Sequence, residues 1–297
     1  MRHVGRFGIT MPRRPCYFTP VCLGVSYSRT FKVWTGTRDS MNIVLLGHRD
    51  IASNIALSLL VTAMPQHRHS IMLSGEVASG SEPVAALAEL AALERKLCDD
   101  LAARGDSRLL AFGALARRAG TDLQVLAQPN SPAGLSLLAA LRPDLVISVR
   151  YRRILKNAAI SIPKFGVLNL HSGVLPAYKG MMATFWAMLS DEPTIGSTLH
   201  YIVDGTIDTG PVISQACMTA DRSRSYLANV LSLYPEGCRM IIDTVHRIGR
   251  GEEIAIQVQP AAGRYYSAPR GGDVMRFQEA GLRLFDGDEL QRFLDEI

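Results

Sequence analysis

The sequence predicts an α/β fold: a doubly wound, mostly parallel sheet with a small C-terminal α+β extension. Three observations predict it. Residues 42–47, 143–149 and 166–168 are short apolar runs, rich in Val, Ile and Leu as strands buried on both faces are. Stretches with helical spacing stand between them, at 51–62 and 83–103. The last run stops abruptly in polar residues within a Pro- and Gly-bounded loop, as a strand does when it ends at a site on the carboxyl edge of such a sheet.

The 297 residues suffice for one large domain or two modest ones, and 47% hydrophobic with 20% charged residues excludes a disordered chain. The net charge of +5 is carried by the first forty residues, where Arg2, Arg6, Arg13, Arg14, Arg29, Lys32 and Arg38 face Asp39 alone. The body therefore sums to about −1 and lacks the overall basic footprint of a nucleic-acid-binding protein. Cys16, Cys22, Cys98, Cys217 and Cys238 form no Cys-x-x-Cys and no metal-like spacing with histidine, so they read as reduced thiols of a cytoplasmic protein without a metal. No apolar run reaches the ~18 residues of a membrane span.

In order along the chain, residues 1–40 show no sustained period. A transit peptide has that Arg-rich, acid-poor composition, and so does translation from a start misassigned ahead of Met41; the second reading is preferred. The expected division is a leader at 1–40, a main domain at 41–220 and an extension at 221–297. Asn42-Ile43-Val44-Leu45-Leu46-Gly47 opens the sheet, and Ile51, Ile55, Leu59 and Leu60 recur as one face of a helix. The turn between them, Gly47-His48-Arg49-Asp50, lacks Gly-x-Gly-x-x-Gly, which disfavours a nicotinamide-dinucleotide enzyme. Residues 70–74 suit a short strand, and 83–103 a long amphipathic helix.

Residues 109–117 and 122–127 stay open between helix and strand, 129–132 is a turn, and 134–141 is a helix leading into the strand at 143–149. Arg150-Tyr151-Arg152-Arg153-Ile154-Leu155-Lys156 follows, either a solvated basic turn or a seat for an anionic group. Met182, Phe185, Trp186 and Leu189 mark a helix at 181–189 packed on the sheet. Residues 197–203 and 211–216 read as a strand and its hairpin partner, with His200 inside as a structural residue. A long helix at 223–248 breaks near Pro235, and 253–259 alternates like a strand. Tyr265 and Tyr266 then stand either on a ligand or as pins of the tail, ahead of short helices at 273–280 and 288–293.

The polar residues at the strand end are Asn169-Leu170-His171-Ser172-Gly173-Val174-Leu175-Pro176. Asn169 and His171 are two apart, so on an extended segment both side chains share a face. Alone, the pair reads as a capped strand end with a satisfied core histidine. With Tyr178-Lys179-Gly180 and Ile207-Asp208-Thr209-Gly210-Pro211 added, the pattern over roughly 41–217 resembles the folate-dependent formyltransferases. The resemblance implies a Rossmann-like fold, 10-formyltetrahydrofolate as formyl donor and a triad of Asn169, His171 and Asp208. It implies folate contacts at Arg153, Ile154 and Leu155 and in the loop of Val203, Asp204, Gly205 and Asp208. Acceptor contacts fall to Ser172, Gly173 and Met181, while His48 and Arg49 face either an acceptor or solvent. Many relatives have Ser where this chain has Gly173.

Moving a formyl group to an amine needs donors aimed at a developing oxyanion and a base for the amine proton. Asn169 supplies the donor, His171 the imidazole, and Asp208 the base, with its pKa expected to rise at an apolar wall. The reading is N-formyl transfer to a small-molecule amine such as a nucleotide-linked aminosugar or an amino acid-derived metabolite. A formyltetrahydrofolate hydrolase or a non-catalytic folate-binding module are the alternatives. The turn after the first strand lacks the Gly-Asn-Gly-Ser of glycinamide ribonucleotide enzymes, and some seventy-five residues follow the core, fewer than the barrel of tRNA-formylating relatives, so no nucleic-acid acceptor is expected. Assembly is left open, a homodimer included.

Overall fold

The computed structural model describes residues 39–76, 84–104 and 109–296. The leader up to residue 38, with Cys16 and Cys22, and the helix start expected at Pro83 lie outside them. The chain runs β1 (Asn42–Gly47), α1 (Ile51–Ala63), β2 (Arg68–Leu73), α2 (Ala85–Arg104), α3 (Phe112–Arg118), β3 (Gln124–Val125), α4 (Pro132–Ala140), β4 (Leu145–Val149), α5 (Asn157–Ile160) and β5 (Val167–His171). It continues through β6 (Tyr178–Gly180), α6 (Ala183–Leu189), β7 (Thr194–Ile202), β8 (Val212–Thr219), α7 (Tyr226–Ser232), α8 (Tyr234–Gly249), β9 (Arg264–Tyr266), α9 (Gly271–Glu279) and α10 (Gly287–Glu296).

Seven strands form one sheet in the order β3-β2-β1-β4-β5-β7-β8. The first five are parallel, and β7 and β8 close the sheet antiparallel. This is the doubly wound, mostly parallel sheet the apolar runs call for. The chain leaves β1 for β2 and β3, then returns to β4 on the other side of β1, so the winding reverses there and a crevice opens at the carboxyl ends. Alternate residues feed two cores: Ile43, Leu45, Ile147, Leu168 and Leu170 on one face, Val44, Leu46, Val146 and Val167 on the other. That alternation leaves Asn169 and His171 on the face of Val167.

Helix α1 is buried nearly all round, and Asp50 caps it by accepting from the Ser53 N–H at 2.8 Å. Residues 109–127 resolve into α3 and the two-residue edge strand β3. The expected helix at 223–248 is two helices parted at Leu233, because Pro235 has no N–H to give and is tolerated only in the first turn of α8. The strand expected at 253–259 is reduced to one bridge between Gln257 and Val212. Ile254 and Ile256 still pack on the core, but the chain then leaves β8 for β6, which β9 joins as a parallel partner. The last helices dock through Phe277, stacked 4.3 Å from Phe185, and through Glu289, which binds Arg224 and the Ser225 N–H. No helix among the described residues is long and apolar enough to cross a membrane.

Candidate active site

Strand β5 carries Asn169 and His171 to the carboxyl edge, and the antiparallel register of β7 sets His200 opposite Asn169 and Thr198 opposite His171. Opposed residues of an antiparallel pair project to the same face. Asp208 enters from the turn after β7 with φ +54°, a left-handed conformation uncommon for any residue but glycine. Its Oδ2 lies 3.5 Å from His171 Nδ1 and its Oδ1 3.4 Å from His200 Nε2. The Gly180 N–H donates to Oδ2 at 2.8 Å. All three side chains are buried.

Each imidazole has one proton assigned by its partner. Tyr178 O can only accept, so His171 donates through Nε2 at 2.7 Å and turns Nδ1 toward Asp208. His200 likewise donates through Nδ1 to Tyr201 O at 2.9 Å, leaving Nε2 for Asn169 Nδ2 at 3.1 Å and for Asp208. When His200 is neutral its Nε2 accepts from Asn169; when it is charged it donates to the carboxylate. Burial pushes the Asp208 carboxyl up, but the charge of His171, the hydrogen bond and charge of His200 and the Gly180 N–H outweigh it and hold the pKa at about 2. The raised pKa expected from an apolar wall is therefore corrected: two imidazoles flank the group.

Glycine at 173 is required by the packing. A Cβ there would stand 2.5 Å from Ala183 Cβ and 2.6 Å from His171 Nε2, so the missing side chain leaves room for the imidazole to reach Tyr178 O. Ser172 is half-buried and holds Thr184 through its carbonyl, while Met181 is 52% exposed beside Gly180. Val203 is half-buried, and Asp204 and Gly205 form the exposed turn before Asp208. A Cβ at Gly205 would lie 3.8 Å from Ile154 Cγ2 and 3.9 Å from Leu155 O, so the two segments assigned to folate are neighbours. The Ile154 side chain is exposed, whereas that of Leu155 is buried in the core, leaving only its backbone on this side. Arg153 donates to Ser74 O.

The basic run beside them is not a free anion seat throughout. Arg150 is drawn under the surface, its guanidinium 2.9 Å from Asp50 and 3.0 Å from Glu94, and Arg152 reaches Asp50 at 3.4 Å. Of the turn residues after β1, His48 bonds Ser74 Oγ at 2.8 Å and Arg49 pairs with Asp99 in solvent. Burial and Arg152 lower the His48 pKa to about 4. Tyr266 is the pin of the tail, stacked between Tyr178 at 5.4 Å and Trp186 at 5.1 Å. Tyr265 is 52% exposed and lies over Gly180. Reading His200 as merely structural missed a member of the cluster. No local signal marked it, because its place comes from the antiparallel pairing of β7 with β5, which carries Asn169. Among the described residues no group of three or more His, Cys, Asp and Glu side chains is placed to hold a metal ion.

Residues 119–228 match the family described as Formyl transferase. The methionyl-tRNA formyltransferase of Thermodesulfovibrio yellowstonii is 33% identical over 135 residues, which are 45% of this chain and 42% of that protein. The chain thus covers less than half the length of that curated relative. Among solved structures, a 4-N formyltransferase from Francisella tularensis superposes with a TM-score of 0.54 at 13% identity, covering 78% of each chain. WlaRD, a sugar 3N-formyl transferase solved in the presence of dTDP and 5-N-formyl-THF, gives 0.51 at 16%, covering 83% of each. At such identities the likeness is one of fold.

Proposed function

We propose, from the premise that this chain carries a formyl transferase domain at residues 119–228, that it is an N-formyltransferase using 10-formyltetrahydrofolate as donor and a small-molecule amine as acceptor. The observation that carries the reading is the Asn169, His171 and Asp208 cluster, closed by His200, at the carboxyl end of β5. The catalytic unit is residues 41–220, with 221–297 as its extension, acting in the cytoplasm.

Transfer of the formyl group to an amine builds negative charge on the formyl oxygen, breaks the bond between the formyl carbon and the donor nitrogen, and moves the proton the amine loses to that departing nitrogen. Asn169 spends one amide hydrogen on His200 and offers the other to that oxygen. Asp208, ionised and facing His171 Nδ1, takes the amine proton directly or through one water. The exposed side chains of Ile154 and Ile207, with the Gly205 backbone against Leu155 O, suit a flat heterocycle held by apolar contact and backbone polar groups. WlaRD, with its formylated folate, supports a folate at this fold. Met181 and Tyr265 are exposed on either side of Gly180 and face the acceptor.

Incubation of the purified chain with 10-formyltetrahydrofolate and a panel of aminosugar nucleotides, amino acid derivatives and aminoacylated tRNA tests this. Formylation of a small amine supports the proposal. Formate release independent of any amine, formylation of tRNA alone, or binding without turnover overturns it.

A further inference from the structure

The segment between the bridge at Gln257 and the end of β9 reaches Asp208 directly and His171 through β6, and the mechanism above makes no use of Gln259. Gln259 comes off the Gln257 to Val212 bridge, and its Nε2 donates to Asp208 O at 3.0 Å and to Gly210 O at 2.7 Å. Two carbonyls demand a donor, which fixes the orientation of the amide. Its Oε1 is buried and has no hydrogen-bond partner among the described residues, so the NH2 group alone anchors the side chain. The turn it grips is confined: Asp208 holds a left-handed φ, and a Cβ at Gly210 would fall 1.8 Å from Tyr201 O.

Five residues on, β9 begins and pairs with β6; the Met181 N–H donates to Tyr266 O at 2.8 Å, and Lys179 Nζ donates to Ala262 O at 3.2 Å. Among the described residues strand β6 belongs to no other sheet. Yet its backbone gives Tyr178 O to His171 and the Gly180 N–H to Asp208. The contacts that set the distance between imidazole and carboxylate therefore hang on a strand held by β9 and a turn held by Gln259.

We propose that residues 257–266 are a strap that positions the catalytic pair, with Gln259 as the positioning residue at Asp208. The inference rests on the reading of the Asn169, His171 and Asp208 cluster as the transfer site. Gln259 holds carbonyls of the turn and acts through that backbone.

Two variants of the full chain test it. Gln259→Leu keeps bulk and removes both donors, and it should lower kcat by about 10²-fold, the scale of a misplacement near 1 Å, with the cooperative thermal transition retained. Gln259→Glu keeps shape: its protonated carboxyl donates to one carbonyl, and its ionised form donates to none. Its kcat should approach the parent's at low pH and fall as that carboxyl ionises, a new limb absent from Gln259→Leu. Loss of packing alone creates no such titration. Both variants within two-fold of the parent at every pH, or a Gln259→Glu profile parallel to that of Gln259→Leu, would overturn the strap. Amide hydrogen exchange separates this from failure of the functional reading. If the parent transfers no formyl group, Gln259→Leu should still speed exchange at 178–181 and 203–211 by about 10-fold. Unchanged exchange there overturns the strap whatever the activity.

Discussion

His200 stands directly opposite Asn169 across β5 and β7, its Nε2 3.1 Å from Asn169 Nδ2 and 3.4 Å from Asp208 Oδ1. One imidazole thus orients the amide donor and bears on the carboxylate that takes the proton. His200→Ala should lower turnover by about 10²-fold, at the low end for an acid–base group, because Asn169 loses its orienting partner. Folate affinity, measured by fluorescence titration, should be kept. Turnover within a few-fold of the parent would return His200 to a structural role.

Gly173→Ser should harm this chain although many relatives carry Ser there. The added Cβ meets Ala183 and His171 inside van der Waals contact, an overpacking that costs about 1–3 kcal/mol and pushes the imidazole off Tyr178 O. Urea unfolding should show the lower midpoint, and Ala183→Gly on top of it should recover part of the turnover by clearing one of the two contacts.

Two buried carboxylates set opposite pH dependences. Burial raises Glu94 to about 7 even though Arg150 is 3.0 Å away, because that guanidinium is shared with Asp50. With a folded pKa above the unfolded one, the folded state holds more protons, so stability falls as pH rises from about 4.5 through 7. Glu94→Gln should therefore gain on the parent at pH 8 relative to pH 5, by on the order of 3 kcal/mol. Asp208 is depressed, so its contribution of about 2 kcal/mol is present above the unfolded pKa and lost as pH falls from about 4 through 2. Chemical denaturation across pH checks both signs.

Leu155→Ala should cost about 2–5 kcal/mol of stability and leave folate affinity nearly unchanged, since the side chain fills the core with Val44, Leu46 and Met72 and only its carbonyl meets the Gly205 turn. Weakened folate binding in a stably folded variant would place the side chain in the pocket instead.

What was legible in the sequence follows from distance along the chain. The central strands announce themselves as local apolar runs, and the spacing of Asn169 and His171 puts both on one face without any tertiary knowledge. His200 could not be placed that way, since its role comes from a cross-strand register with a residue 31 positions earlier. Arg150 reads from the sequence as either part of a solvated basic turn or a seat for an anionic group, because Asp50 and Glu94, 100 and 56 residues away, give no local sign that they will bury it. The alternating stretch at 253–259 carried a strand pattern, but alternation specifies a face and not a partner. The chain uses it instead to bring Gln259 to the Asp208 turn.

The most direct test of the account is single-turnover formyl transfer by Asn169→Ala, His171→Ala, Asp208→Asn and the His171→Ala/Asp208→Asn double variant, each shown folded by its near-ultraviolet circular dichroism. Each single change should cost about 10²- to 10³-fold in rate with folate affinity largely kept. The double variant should lose little more than the worse of its singles, because one imidazole and one carboxylate move one proton as a unit. Asp208, ionised throughout the neutral range, should contribute no limb to the parent's pH profile above about pH 4. Folded single variants that transfer within a few-fold of the parent, or losses that simply multiply in the double variant, would contradict the assignment of this cluster as the catalytic site.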